Sequence, residues 1–163
     1  MAAIPTLETV ITAIKAAMDA ISSLGTVLTG YETLEDQVEV VERGNYISSG
    51  SMNLWFLELD AIDELEGDSP GEVYEQYNII IRYWSLRTNN ADWSKEARTK
   101  AESVRDALSG LASVFSVGSQ RQLRTPETVG IASHGPASIR GTEGEHMIYE
   151  TVLRLSVEAR RWI

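Results

Sequence analysis

The stretch NLWFLELDAIDELEGDSPGEVYEQYNIIIRYWSL, residues 53–86, decides the fold. It alternates with period two on both sides of a strong turn signal, Gly67-Asp68-Ser69-Pro70-Gly71. Successive side chains of a strand point to opposite faces. The first limb, Asn53 to about Leu65, therefore sets Trp55, Leu57, Leu59 and Ala61 on one face, with Glu58, Asp60 and Ile62 on the other. The second limb, Glu72 to about Leu86, sets Val73, Tyr77, Ile79, Ile81 and Tyr83 on one face. Tyr74, Gln76, Ile80, Arg82 and Trp84 share the other. The two limbs read as a long antiparallel hairpin. Its centre is apolar on both faces and is expected to be covered on both. Its tip is acidic and is expected to extend beyond the core.

Upstream, Leu7, Val10, Ile11, Ile14, Met18 and Ile21 recur at spacings of three and four, the stripe of an amphipathic helix. Thr6 suits the N-cap and Gly25 the exit. Val38 and Val40 read as the start of a short strand, followed by a loop marked by Gly44-Asn45 and Ser48-Ser49-Gly50-Ser51. Downstream, Asn90 or Asp92 can cap a second helix. It carries Trp93, Ala97, Ala101, Val104, Leu108 and Leu111 at helical spacing. Trp93, Val104 and Leu108 are expected to pack on a sheet built from Ile79, Ile81, Leu153 and Leu155.

From Gly118 to His146 periodicity stops. Five glycines and two prolines fall there with Arg121, Arg124 and Arg140. A long stretch of this kind reads as an extended arm, with room for one loose hairpin, that orders against a neighbour or lies on the surface. The final strand is regular: Met147, Tyr149, Thr151, Leu153, Leu155 and Val157 alternate with Ile148, Glu150, Val152, Arg154, Ser156 and Glu158. Arg160, Arg161 and Trp162 follow as a basic-aromatic tail, a candidate terminal contact. The fold class is thus α+β: an antiparallel sheet with a long hairpin, packed by two helices, plus an extended Gly-rich arm over 118–146.

The 163 residues fit one domain spanning the chain. No cysteine is present, which removes disulfides, thiolate catalysis and cysteine metal sites. The net charge is −10, against a basic nucleic-acid binder. That charge is regional. Between Glu32 and Glu75 lie about thirteen acids and one base, Arg43, so the segment carries roughly −12 and the remainder roughly +2. Glu58, Asp60, Asp63, Glu64, Glu66, Asp68, Glu72 and Glu75 are the candidates for a charged lumen or docking surface. A plain solvated hairpin face is the competing reading.

No basic leader precedes an apolar run, and the most apolar stretch, Leu7 to Leu24, contains Glu8, Lys15 and Asp19. Neither a signal peptide nor a membrane span is expected. There is no P-loop, no dinucleotide fingerprint and no nucleophile elbow. His134 and His146, with Glu143 and Glu145, match no helical or hairpin metal-ligand spacing. The acids of the hairpin lack the alternating ligand pattern of a calcium loop. No catalytic residue, metal or cofactor is expected, and the chain does not read as an enzyme.

The order of elements, on four quoted pieces, resembles the tail terminator and tail-completion proteins of long-tailed bacteriophages. These pieces are the stripe Leu7-Val10-Ile11-Ile14, the strand Tyr77-Asn78-Ile79-Ile80-Ile81-Arg82-Tyr83, the helix from Trp93 to Leu111 and the closing strand Tyr149-Glu150-Thr151-Val152-Leu153-Arg154-Leu155-Ser156-Val157. The resemblance implies a structural virion protein assembled in a host cytoplasm. Such proteins form a homohexameric ring at the head-proximal end of the tail, where they cap the tail tube and end its polymerisation. The implied partners are further copies of the chain, the tail tube protein and a head-side connector or stopper protein. DNA passes through such a ring without specific binding. Like charge on a pore wall opposes the phosphate backbone. The alternatives are another neck or tail subunit, either a tube protein or a head-side connector, and an unrelated cytoplasmic α+β interaction domain.

Overall fold

A computed structural model describes residues 6–29, 34–44, 52–66, 70–86, 93–109, 116–117, 120–121, 123–124 and 130–162. The order is α1 (Leu7–Asp19), β1 (Thr26–Leu28), α2 (Leu34–Arg43), β2 (Asn53–Glu66), β3 (Glu72–Leu86) and α3 (Trp93–Ser109). It continues with β4 (Ser116–Val117), β5 (Gln120–Arg121), β6 (Leu123–Arg124), β7 (Gly130–Gly141) and β8 (Gly144–Trp162). The fold is α+β. A mixed sheet runs β1-β2-β3-β8-β6, and β7 pairs the other half of the outer side of β8. All main-sheet pairs are antiparallel except β1 on β2. Three helices pack on this sheet, one more than the sequence implies.

The periodicities place most of these elements. The Thr6 hydroxyl accepts the Thr9 N–H at 3.3 Å and caps α1. Val10, Ile11, Ile14 and Met18 bury its stripe. Gly25 turns the chain into β1 with φ +115°, and a Cβ there would stand 2.3 Å from the Asn53 carbonyl oxygen. On one sheet face, α1 and α3 close a core in which Val104 and Leu108 join Ile79, Ile81, Leu153 and Leu155. The side chain of Trp93 lies outside the described residues. The opposite face carries a second cluster in which Val38 and Val41 of α2 cover Leu54, Phe56, Trp84 and Ile148.

Two local readings are corrected, and part of a third is filled in, residues 118–119, 122 and 125–129 of the Gly-rich stretch lying outside the described residues. Val38 and Val40 belong to helix α2, not to a strand. Leu34, Val38 and Val41 stand at helical spacing, and that stripe outweighs one accidental alternation. The faces of β2 do not run through unbroken. Leu59 pairs Ile79 while Ala61 pairs Asn78, so Asp60 is the extra residue of a β-bulge. Beyond it every face exchanges: Ala61 joins Asn78, and Ile62 joins Tyr77 on the α1/α3 side. Finally, residues 130–141 of the Gly-rich stretch form β7, which pairs β8 from Gly130↔Arg154 to Gly141↔Gly144. The last strand accordingly begins at Gly144, before Met147. A bulge at Ala132 and the predominance of small residues hide this strand from a periodicity test.

The long strands outrun the helices. At roughly 3.3 Å per residue, the 15 residues of β3 span about 50 Å. At 1.5 Å per residue, the 17 of α3 span only about 25 Å. The distal part of the β2–β3–β8 ribbon therefore extends past the helical layer.

Candidate functional surfaces

The acidic candidates do not form one patch. Glu58 lies inside the fold, its side chain only 15% exposed. Its Oε1 accepts from Gln37 Nε2 at 2.6 Å and its Oε2 from Arg82 Nε at 3.2 Å. Arg82 also donates to Glu150 Oε2 at 2.9 Å, and Trp84 Nε1 donates to the same oxygen at 2.7 Å. Burial alone would lower the Arg82 pKa; Glu150 and Glu58 outweigh it and raise the net value, so the guanidinium stays charged. The result is a Glu–Arg–Glu row between β2, β3 and β8 on the α2 side of the sheet. Period-two reading sorts Glu58 and Arg82 onto faces within their own strands; the register sets them side by side, and Glu150, distant in sequence, completes the row.

Beyond the bulge the acids divide between faces. Asp60 is exposed, 3.8 Å from Arg154. Asp63 accepts from Asn78 Nδ2 at 2.8 Å on the α2 side. Glu64 and Glu75 stand directly across from each other on the α1/α3 side, and Glu66 pairs Val73 there. Like charges in such a pair repel. Tyr77 donates to Glu75 at 2.8 Å. Glu72 is paired in the ribbon through its backbone, and Asp68 lies outside the described residues. Among the described side chains toward the tip, Ile62, Asp63, Glu64 and Glu66 of β2 are exposed, while Val73 and Tyr77 of β3 are buried.

The backbone of most basic candidates is paired within the chain. Arg160, Arg161 and Trp162 are paired to Tyr74, Val73 and Glu72, so the tail is the end of β8 and lies one strand from the acidic tip. Arg124 pairs Glu158 at the sheet edge, and Arg121 pairs Ser116 in a separate two-residue ladder. Arg140 is exposed near the end of β7, facing a groove of about 590 Å³ between α2 and the β7–β8 turn.

The two histidines go to opposite faces. His134 lies on the α1/α3 side, with Nδ1 2.6 Å from the buried Thr151 hydroxyl and Nε2 3.2 Å from the Ser94 hydroxyl. Burial, then nearby Arg98, lowers its pKa and favours the neutral ring. This hydroxyl–imidazole–hydroxyl row ties the start of α3 to β7. His146 lies on the α2 side, with Nε2 3.2 Å from Glu42 Oε1. No group of three metal-ligating side chains occurs among the described residues.

Glu42 gives a test by pH. The Thr142 hydroxyl is the main group lowering its pKa; burial opposes this, and the Glu143 N–H, His146 and the Thr142 N–H add to the lowering. Glu39, Arg43, Arg140 and Glu143 line the same groove. A carboxyl held below its ordinary value of 4.5 adds stability above that value and loses it as pH falls through the folded value. Thermal melts should show wild type more stable than Glu42→Gln at pH 7, with the gap narrowing as pH falls below the ordinary value of 4.5 and through the lowered folded value. A constant gap across that range would contradict this assignment.

The free edges of the sheet are blunted. Among the described residues, no strand pairs β2 beyond Phe56, and this edge carries the bulge, Asp60 and Asp63. The outer edge of β7 carries Pro136, which lacks an N–H. Bulges, charges and prolines are the usual barriers to unwanted strand addition. No helix among the described residues is long and apolar enough to cross a membrane. No protein-family model matches the chain, and no curated protein matches it.

Proposed function

We propose that this chain is a structural, non-enzymatic subunit of a long-tailed phage virion. In this reading, copies close into a six-fold ring at the head-proximal end of the tail, cap the tail tube and meet a head-side connector. The observation that carries the reading is the β2–β3–β8 ribbon, which outruns the helices and ends in exposed acids. A rigid ribbon of that kind suits a pore wall or a contact between copies. The likeness of element order to tail terminators supports the same reading. The blunted edges favour ring contacts through side chains over continuation of the sheet from copy to copy. A closed ring needs two different complementary surfaces on each copy. The acidic ribbon is offered as one of them.

Negative-stain imaging of the purified protein tests the assembly. Six-fold rings are expected; long tubes would indicate a tube subunit, and a monomer at all concentrations would overturn the reading. The ribbon has its own test. Replacing Asp63, Glu64, Glu66 and Asp68 by serine should change folding stability by less than about 1 kcal/mol, since the described members, Asp63, Glu64 and Glu66, are exposed and exposed charges contribute little. Infectivity of particles carrying the four changes should fall. Particles that assemble, retain DNA and infect normally would reduce the tip to a solvated turn.

A further inference from the structure

Four donors converge on one carboxylate where α2 meets the β7–β8 turn. Glu42 Oε2 accepts from the Thr142 N–H at 3.1 Å and from the Thr142 hydroxyl at 2.6 Å. Glu42 Oε1 accepts from the Glu143 N–H at 3.3 Å, and His146 Nε2 lies 3.2 Å away. Two successive backbone N–H groups aimed at one anion make a concavity of the kind called a nest. Gly141 leaves the room: a Cβ there would stand 1.7 Å from Glu42 Oε1. All the donors belong to a hairpin whose strands pair with each other independently of α2. The receptor is a property of the turn, and the carboxylate is brought to it from about a hundred residues away.

The helix that brings it is modest. α2 has 10 residues, shorter than a helix that holds itself in water. Its described buried side chains are Gln37, Val38, Val41 and Glu42. Beneath it Leu54, Phe56, Trp84 and Ile148 are each at most 1% exposed. A short helix thus covers a strongly apolar face and is pinned at its last turn by one side chain.

We propose that the Thr142–His146 turn is a carboxylate-binding nest, filled in cis by Glu42, and that this contact holds α2 as a releasable cover over the Leu54–Phe56–Trp84–Ile148 face. The nest takes a carboxylate as a class, so a small free carboxylate binds it once Glu42 is gone. Seating and release of α2 then switch that apolar face between covered and bare. This holds whether or not the chain forms a ring.

Amide exchange and shift mapping by NMR on the full chain test both halves, with acetate as probe and chloride at equal ionic strength as control. In Glu42→Ala, amides of residues 34–43 should exchange at least about tenfold faster, with those of β2, β3 and β8 still protected. Acetate should shift the Thr142 and Glu143 amides of that variant. It should leave those of wild type, whose nest is filled, unmoved. Gly141→Ala should free α2 in the same way and bind no acetate, because its methyl group occupies the nest. Wild-type protection of α2 in both variants would overturn the cover. Loss of protection in the central strands together with α2 would also overturn it, because α2 would then be part of one cooperative core. A Glu42→Ala protein whose turn amides respond no more to acetate than to chloride would overturn the nest.

Discussion

Trp55→Ala is expected to remove about 5 kcal/mol of folding stability, the upper end of the range for aromatic truncation in a core. Three losses add at this site. The indole is fully buried among residues from α1, α3 and three strands. It stacks on Tyr83 with centroids 4.2 Å apart and planes 13° from parallel, a geometry worth more than the area it covers. Its Nε1 donates to the Leu24 carbonyl at 3.0 Å, so truncation also leaves a buried acceptor without its partner. That carbonyl precedes Gly25, where the chain turns from α1 toward β1, so the indole also pins the connection between helix and sheet. Against a total stability of roughly 5–15 kcal/mol, the variant should be close to unfolding at 37 °C. Urea denaturation checks this. Trp55→Phe should cost less, since it retains a ring and loses chiefly the hydrogen bond. A loss below about 1 kcal/mol for the alanine variant, the level of surface changes, would mean that the core is not closed as described.

The second large effect is electrostatic. Arg82→Met should cost about 3 kcal/mol at pH 7, because Glu58 and Glu150 would remain partly buried with their shared cation removed. The side chains of Arg82, Glu58 and Glu150 are 17%, 15% and 24% exposed, too little for water to replace the guanidinium well. The triple variant Glu58→Gln, Arg82→Met, Glu150→Gln should recover most of the loss, since neutral amides can keep the Gln37 and Trp84 hydrogen bonds. This non-additivity is the signature of one network. If the triple variant is no more stable than Arg82→Met, the charges are not coupled and the row is three separate surface contacts. The same comparison bears on function. Glu58 belongs to this row and lies under α2, so in the proposed ring only the acids beyond the Asp60 bulge are offered as the charged surface.

The two effects fall on opposite faces of one sheet, which explains how the ribbon can be long and still be held. On the α1/α3 face, apolar area and one aromatic stack do the holding. On the α2 face, a smaller apolar cluster is supplemented by the Glu–Arg–Glu row and the Glu42 nest. Past these supports the strands continue as a ribbon held by its own ladders and, in the described residues, by Val73.

By itself the sequence determined whatever is encoded in local period. The hairpin of residues 53–86, the stripes of α1 and α3 and the alternation from Met147 to Val157 each follow from side chains a few positions apart, because one face of each element must be buried. Tertiary structure alone decided the rest. A one-residue bulge at Asp60 sent Ile62 to the face opposite the one its position implies, and no local pattern marks such an insertion. α2 is too short for its stripe to stand out from the alternation of Val38 and Val40. β7 is built mostly from small residues with no clear periodicity, and β8 offers it a ladder. The charged groups were visible as residue types, but their roles were not. Glu58 and Glu42 look like any other acid of the −12 segment until Arg82, Glu150 and the Thr142 turn are brought beside them. Those partners lie from 24 to about a hundred positions away. Electrostatic and hydrogen-bond energies depend on distance in space, and only the folded chain sets that distance.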